Sequence, residues 1–573
     1  MSQRIYKQTG IALYHQVETY IRDKIDSGQW GDGYKLPTEN ELASFFNVSR
    51  TTIRQAVDSM VKGGQLIRKQ GSGTYVSRHP YARSRLRQQL SDDVCRYVYA
   101  PFIELDISHS YRNLLRVNMS HVLMLWRQSL ISESEAAVIM AFLQPLADKH
   151  PETIGTNPAN EDYLLNFEQY LISNLGLELG GRMQMGRSRN DMTPTILRIS
   201  VRDSMMTIYA DMIELISTIL DLAEKNQGFI MPSYTHHQPS QPITLDHYLL
   251  GVAEVLSRDL DRLLFSFKSL NLSPLGACAI AGTSHLIDRR YTAKLLGFDD
   301  IIVNSLDAVS SRDFLLETAS GFVAAGSNIS RFAEDLYLWA TEEFGYVSFS
   351  DATSCCSTIM PQKRNPVSVE HIKARSAHLT AAYLDIVMCL KGTVFSHSRD
   401  LFDCVRPYWQ CIEDFRQILV LLIDVLHDIT FNADRMMQRA VESHITLTDV
   451  ADQLVRQDNL SFRQAHSILS SVVKDFDLDR DGLTVSQLNQ VCQDAIGRDC
   501  SLTEEDLANL SSPENSVRKR ASEGSPSPES CKKMMLMLRS SLDQISSRVD
   551  QIALNLRIAQ DYMDSQISEL LNA

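Results

Sequence analysis

Residues 351–370 read D-A-T-S-C-C-S-T-I-M-P-Q-K-R-N-P-V-S-V-E. Small hydroxyl and thiol side chains lead to a Met-Pro step, and Gln362, Lys363 and Asn365 precede a second proline. Pro361 and Pro366 disfavour helix between them, so the reading is a polar loop that runs into a helix from Val367 onward. Such a loop gathers a hydroxyl (Ser357), an ammonium (Lys363) and an amide (Asn365) beside the carboxylate of Glu370. Those groups together stabilise an enolate-like dianion.

Outward from this loop the pattern is helical. Amphipathic runs occupy residues 132–149, 161–175, 193–227, 244–269, 311–344, 369–390 and 408–431, several longer than an ordinary helix. Long helices separated by loops rich in Gly, Pro and Ser predict a mainly α protein, an elongated helical bundle with functional loops at its ends.

The length of 573 residues, with 44% hydrophobic and 22% charged side chains, fits a globular chain of two to four domains. No apolar run reaches spanning length and the first residues lack an apolar signal core, so no membrane partner and a cytoplasmic location are expected. The 10 cysteines are scattered without a C-x-x-C pair, which fits reduced thiols better than a disulfide frame or a metal site. Asp477, Asp479, Asp481 and Gly482 imitate half a calcium loop, but Leu488 stands where the bidentate glutamate is needed. An exposed loop is expected there, without calcium.

Charge divides unevenly. Residues 1–90 hold 14 Lys and Arg against 7 Asp and Glu, while the remainder holds 42 against 63. A small basic module joined to a large acidic one points to nucleic acid at the N-terminus. There, residues 12–27 have helical spacing, and Thr38 and Glu41 have the spacing of a capping box that opens a short second helix ending at Phe46. A third helix starts at Arg50 and carries Thr51, Thr52 and Arg54 on its first turns. Residues 66–76 then read as a hairpin whose tip holds Gly71 and Gly73. This is a winged helix-turn-helix. Arg50, Thr51, Thr52 and Arg54 suit base edges and phosphates, and Arg68, Lys69 and the glycine tip suit the backbone or minor groove. The domains are read as 1–77 for this module, 78–104 for an arginine-rich linker able to add phosphate contacts, and 105–573 for the helical body.

Two resemblances sharpen these readings. The 351–370 stretch resembles the signature loop of the fumarase and aspartase superfamily in the M-P-Q-K-x-N-P form of argininosuccinate lyase, with Cys356 and Thr358 where glycine and a second serine are usual. The resemblance makes Ser357 the catalytic serine, Lys363 and Asn365 the carboxylate-stabilising pair, and Glu370 the partner of a catalytic histidine. G-R-S-R-N-D at residues 186–191 and S-Y-T-H-H-Q-P-S-Q-P at residues 233–242 resemble two further loops of that family. They imply substrate contacts at Ser188, Arg189, Asn190, Thr235 and Gln238, and name His236 as the histidine. A looser match puts Asn118 at an early substrate serine. His397, Phe402 and Val405 replace the tyrosine, glutamine and lysine that hold the guanidino amino acid. The implied protein is a homotetramer whose sites draw on three subunits, taking a dicarboxylate or amino-acid substrate without metal or organic cofactor, and releasing fumarate from argininosuccinate or another N-substituted aspartate.

The blocks L-P-T-E-N-E-L-A, V-S-R-T-T-I-R-Q-A and R-K-Q-G-S-G-T-Y-V resemble the GntR family, nearest its HutC-like branch, which implies a dimeric unit on a two-fold DNA operator. Two functions stay open on the sequence: an active lyase fused to a DNA-binding domain, and a transcription regulator that uses a lyase-like domain as a ligand sensor.

Overall fold

The computed structural model describes residues 12–27, 29–31, 33–62, 65–69, 71–76 and 90–572. Helices α1 (Leu13–Asp26), α2 (Glu39–Phe46) and α3 (Arg50–Lys62) precede an antiparallel hairpin of β1 (Leu66–Lys69) and β2 (Gly73–Val76). The capping box forms as its spacing predicts: the Thr38 hydroxyl accepts from the Glu41 N–H, and the Glu41 carboxylate accepts from the Thr38 N–H at 2.7 Å. Asn47, at φ 52°, ends α2 in the left-handed region and turns the chain into α3. Val17, Ile21, Ile53, Val57 and Met60 close the small core beneath the wing.

Residues 77–89, which hold four of the five arginines of the linker, lie outside the described residues. From Asp92 the chain is already helical, through Asp92–Val94 and a π-helical turn at Cys95–Tyr99 into α4 (Ala100–Arg127). The boundary read at residues 104 and 105 therefore falls inside a helix. Pro101 is the second residue of α4 and is accepted there beside the π-helical turn.

After α5 (Tyr163–Gly180), a five-helix bundle forms the body: α6 (Arg189–Lys225), α7 (Leu245–Leu270), α8 (Asp313–Trp339), α9 (Val367–Leu390) and α10 (Val405–His427). Each runs antiparallel to the one before it. The Arg198 guanidinium donates to the Ser269 carbonyl between α6 and α7, Asn328 donates to Asp259 between α7 and α8, and Arg375 pairs with Asp414 between α9 and α10. The helices touch closely where glycine allows it: a Cβ at Gly326 of α8 would collide with the Leu379 side chain on α9. Phe322 and Phe415 stack at 4.8 Å between α8 and α10, both fully buried. A 45-residue helix, α11 (Pro528–Asn572), lies along α6 and α7, where Arg548 pairs with Asp261.

The structure corrects the reading of the acidic run near residue 480. Leu478–Asp481 form one helical turn capped by Asp477, and Asp479 pairs with His444 at 2.9 Å. Short polar residues favour caps as readily as loops.

Candidate active site

Three loops carry the expected groups, and the bundle sets them at two ends. The G-R-S-R-N-D segment stands at the start of α6. The T-H-H-Q segment lies between α6 and α7, and the signature loop between α8 and α9. Alternating helix direction puts the last two at one end and the first at the other. With 37 residues in α6 and a rise of about 1.5 Å each, the ends are about 55 Å apart.

At the first end, α6 begins at Arg189, four residues before the start read from sequence. Pro194 suggests a later start, but the chain accepts this proline inside the helix. Ser188 is the N-cap, its hydroxyl accepting from the Asn190 N–H at 3.3 Å. Asp191, which sequence reasoning left without a role, is fully buried. It accepts from the backbone N–H groups of Ser188, Gly276 and Cys278 at 2.9, 2.9 and 2.7 Å. Burial pushes its carboxyl up to about 6, and those three N–H groups oppose the rise. The signal was present in the P-L-G-A-C segment, whose Gly276 sits at φ 84° and lets the backbone reach the carboxylate. Arg189 is clasped by Glu161 at 2.9 Å and Asp162 at 2.7 Å, and Asn190 donates to the Ala279 carbonyl at 3.0 Å. Asn118 does not join them: it is fully buried within α4 and donates to the Leu114 carbonyl at 2.7 Å.

His397 and Phe402 meet edge to face at 5.4 Å, and Val405 opens α10. Burial lowers the His397 pKa, with the guanidinium groups of Arg312 and Arg189 adding to the effect. This imidazole is held toward its neutral form.

At the second end, the segment expected as a loop is a hairpin, β3 (Ile230–Thr235) against β4 (Gln238–Thr244). Thr235 pairs with Gln238 across a two-residue turn made of His236 and His237, at φ 53° and 57°. Two positive φ values at non-glycine residues cost on the order of 1 kcal/mol each, and such strain collects at functional sites. The hairpin is fixed by Ser233, which bonds the Gln241 backbone in both directions, and by a 2.7 Å contact between the Tyr234 and Tyr346 hydroxyls. Thr235, His236 and Gln238 are thereby brought together on an exposed tip.

The signature loop is a small ribbon, β5 (Cys355–Cys356) paired with β6 (Arg364–Asn365), pinned by the Arg364 guanidinium on the Phe349 carbonyl at 2.6 Å. Ser357 leaves this ribbon with its Oγ accepting from two backbone N–H groups, those of Ile359 at 3.3 Å and Met360 at 3.0 Å. Two amide donors on one hydroxyl oxygen favour its oxyanion. Asn365 donates to Cys355 Sγ at 3.6 Å, Lys363 is exposed on the tip, and Glu370 is exposed in the first turn of α9. Among the described residues of a single chain, no hydrogen bond joins His236 to Glu370.

The N-terminal residues converge more simply. The Glu39 carboxylate takes Arg50 at 3.0 Å, Arg54 at 3.0 Å and Arg68 at 3.5 Å, and Arg68 also pairs with Asp58 at 2.8 Å. The Arg54 hydrogen bond, followed by that of Arg50, holds the Glu39 carboxyl below its usual range against desolvation. Thr51 is exposed beside them, the Thr52 and Ser49 hydroxyls share a hydrogen bond of 2.8 Å, and Lys69 lies 4.9 Å from the Tyr75 ring. Gly71 and Gly73 take φ of 73° and 130° at the wing tip. No helix among the described residues is long and apolar enough to cross a membrane.

Comparison with known proteins gives three family matches along the chain: bacterial regulatory proteins of the gntR family over residues 13–76, lyase over 113–380, and argininosuccinate lyase C-terminal over 444–518. Argininosuccinate lyase 1 of Shouchella clausii is 34% identical over 490 residues, covering 85% of this chain and 98% of the relative. Argininosuccinate lyase of Methanocaldococcus jannaschii is 33% identical, covering 82% of this chain and 96% of the relative. A crystal structure of EDDS lyase in complex with formate superposes with a TM-score of 0.74 at 26% identity, over 81% of this chain and 93% of that one. The long helices, the three loops and these relatives agree: the chain belongs to the argininosuccinate lyase family of carbon–nitrogen lyases and carries a GntR-family domain at its N-terminus.

Proposed function

We propose that the body cleaves argininosuccinate or a related N-substituted aspartate by β-elimination, releasing fumarate and an amine. Ser357 takes the proton from the carbon beside a carboxylate, and the two backbone N–H groups on its Oγ support the alkoxide this needs. That double amide contact is the observation that carries the reading, because ligand sensing has no use for an activated serine. Lys363 and Asn365 neutralise the aci-carboxylate as its charge develops, while His236, oriented by Glu370, delivers a proton to the departing nitrogen. Ser188, Asn190, Thr235 and Gln238 hold the carboxylates, with Arg189 supporting the first end. These steps are proton transfers and charge stabilisation, which the named side chains supply.

A substrate a few ångströms across cannot touch both ends of α6 in one chain. The complete site is therefore built from several chains, which supports a homotetramer. The N-terminal domain binds a DNA operator through Arg50, Thr51, Thr52, Arg54, Arg68, Lys69 and the Gly71–Gly73 tip, and gives a cytoplasmic lyase a regulatory role. The test is fumarate absorbance during incubation with N-substituted aspartates. Turnover that falls about 1000-fold in Ser357→Ala supports the lyase. Bound aspartate derivatives that shift DNA affinity without any turnover would instead make the body a sensor.

A further inference from the structure

A small pocket lies at the first end of the bundle, enclosed by α4, the start of α5, the first turns of α6 and the turn leading into α10. Phe402 and Val405 form part of its apolar wall, and Phe102 meets Phe402 edge-on at 6.2 Å. Thr193, one turn along α6 from Ser188, joins it to the carboxylate-binding loop. Asp106, Ser110 and Tyr163 interrupt the apolar lining.

Two of these groups lack partners. Tyr163 is 1% exposed, and its hydroxyl has no hydrogen-bond partner among the described residues. Asp106 forms no hydrogen bond or ion pair among them, and burial raises the pKa of the Tyr163 hydroxyl, with Tyr111 and the charge of Asp106 adding. A buried hydroxyl left unpaired keeps the cost of its lost hydration, so the pair fits a ligand group better than a packing role. The local field favours a cation. Asp162 adds negative charge although Arg189 pairs with it at 2.7 Å, and the Arg399 guanidinium, whose charge opposes it, is engaged elsewhere, 3.8 Å over the Phe102 ring and on the Val98 carbonyl. The pocket volume of about 40 Å³ admits roughly two or three heavy atoms, far fewer than a guanidino amino acid.

We propose that this pocket receives the substituent on the aspartate nitrogen, and that the substituent is a short aliphatic chain ending in an ammonium group held by Asp106 and Tyr163. The inference rests on the lyase reading above. The serine takes the proton from carbon, its electron pair forms the double bond, the C–N bond breaks and the nitrogen gains a proton. The products are fumarate and a short diamine. Burial, with Asp162 adding, pushes the Asp106 carboxyl up to about 7 in the empty pocket. An ammonium bound there pulls it down again and so gains from pairing.

The experiment compares fumarate release by the full-length protein from N-aminoethyl aspartate, N-propyl aspartate and argininosuccinate. The aminoethyl compound is expected to lead in kcat/KM by at least about tenfold. Asp106→Asn is expected to collapse the ratio between the aminoethyl and propyl compounds, chiefly through KM. Tyr163→Phe, which removes only a hydroxyl, moves the ratio the same way and serves if the first variant does not fold. Argininosuccinate turned over as well as the aminoethyl compound, or a ratio that survives both variants, overturns the pocket assignment and leaves the lyase intact. Fumarate from none of the three, with no fumarate consumed in the presence of ethylenediamine, overturns the lyase reading and the pocket with it.

Discussion

The winged helix and the lyase body solve opposite problems of placement. In the winged helix, three arginines from adjacent elements meet on the Glu39 carboxylate, so one chain presents a finished face. In the body, Ser188 and His236 mark opposite ends of one 37-residue helix, and the fold of one chain holds them about 55 Å apart. A face made locally can be removed or tuned by one substitution. A site divided as proposed depends on assembly, and its parts can be supplied by different chains.

Chain mixing is the strongest way to break this contrast. Arg189→Ala damages the first end and Ser357→Ala the second, and each homogeneous protein is expected to lose about 1000-fold in fumarate release. Co-expressed and co-purified, the two variants should recover at least about tenfold over either alone, because some sites then combine two intact ends. Activity equal to the average of the two homogeneous proteins would mean that each site lies within one chain.

For the DNA face the expected effects are smaller and strictly local. Arg54→Ala should weaken binding to a duplex selected by the wild-type protein from a random pool by about 1–3 kcal/mol, measured by fluorescence anisotropy, with fumarate release unchanged. Glu39→Gln acts in the other direction. Glu39 competes with phosphate for the same guanidinium groups, so its neutralisation should strengthen binding to non-selected DNA a few-fold and steepen the salt dependence. Weaker binding in Glu39→Gln would show instead that the carboxylate positions the arginines for base contact.

Much of this was legible in the sequence because the signals are local. Proline spacing marked the signature loop, the Thr38 and Glu41 spacing marked α2, and apolar periodicity placed the bundle helices within a few residues. The misses have physical causes. Two histidines read as loop because nothing in residue type announces a turn with positive φ. The start of α6 was displaced by a proline that the helix tolerates, and the apolar runs left α4 unread. Asp191 was overlooked because its partners, Gly276 and Cys278, lie far along the chain and bind through their backbone. The Asp106 and Tyr163 pocket was invisible for a similar reason, since it exists only where α4, α5, α6 and α10 converge.

That pocket gives the smallest effect and a direct reading of how the first end is built. Burial and the neighbouring Asp162 raise the Asp106 carboxyl to about 7, with Arg399 opposing, whereas an unfolded aspartate titrates near 3.9. The neutral form therefore favours the fold. Its contribution is complete below about pH 4 and is lost as pH rises to about 7, above which the loss is constant. Asp106→Asn lacks this titration, so its stability relative to wild type should climb between those limits, at most about 1.4 kcal/mol per pH unit. Asp106 keeps part of its surface in solvent, so screening brings the slope below that maximum. Urea unfolding of both proteins at pH values spanning the window measures it. A difference that is flat with pH would mean that the carboxyl is solvated and the pocket open, and a difference that falls as pH rises would place a cation of the protein itself against Asp106.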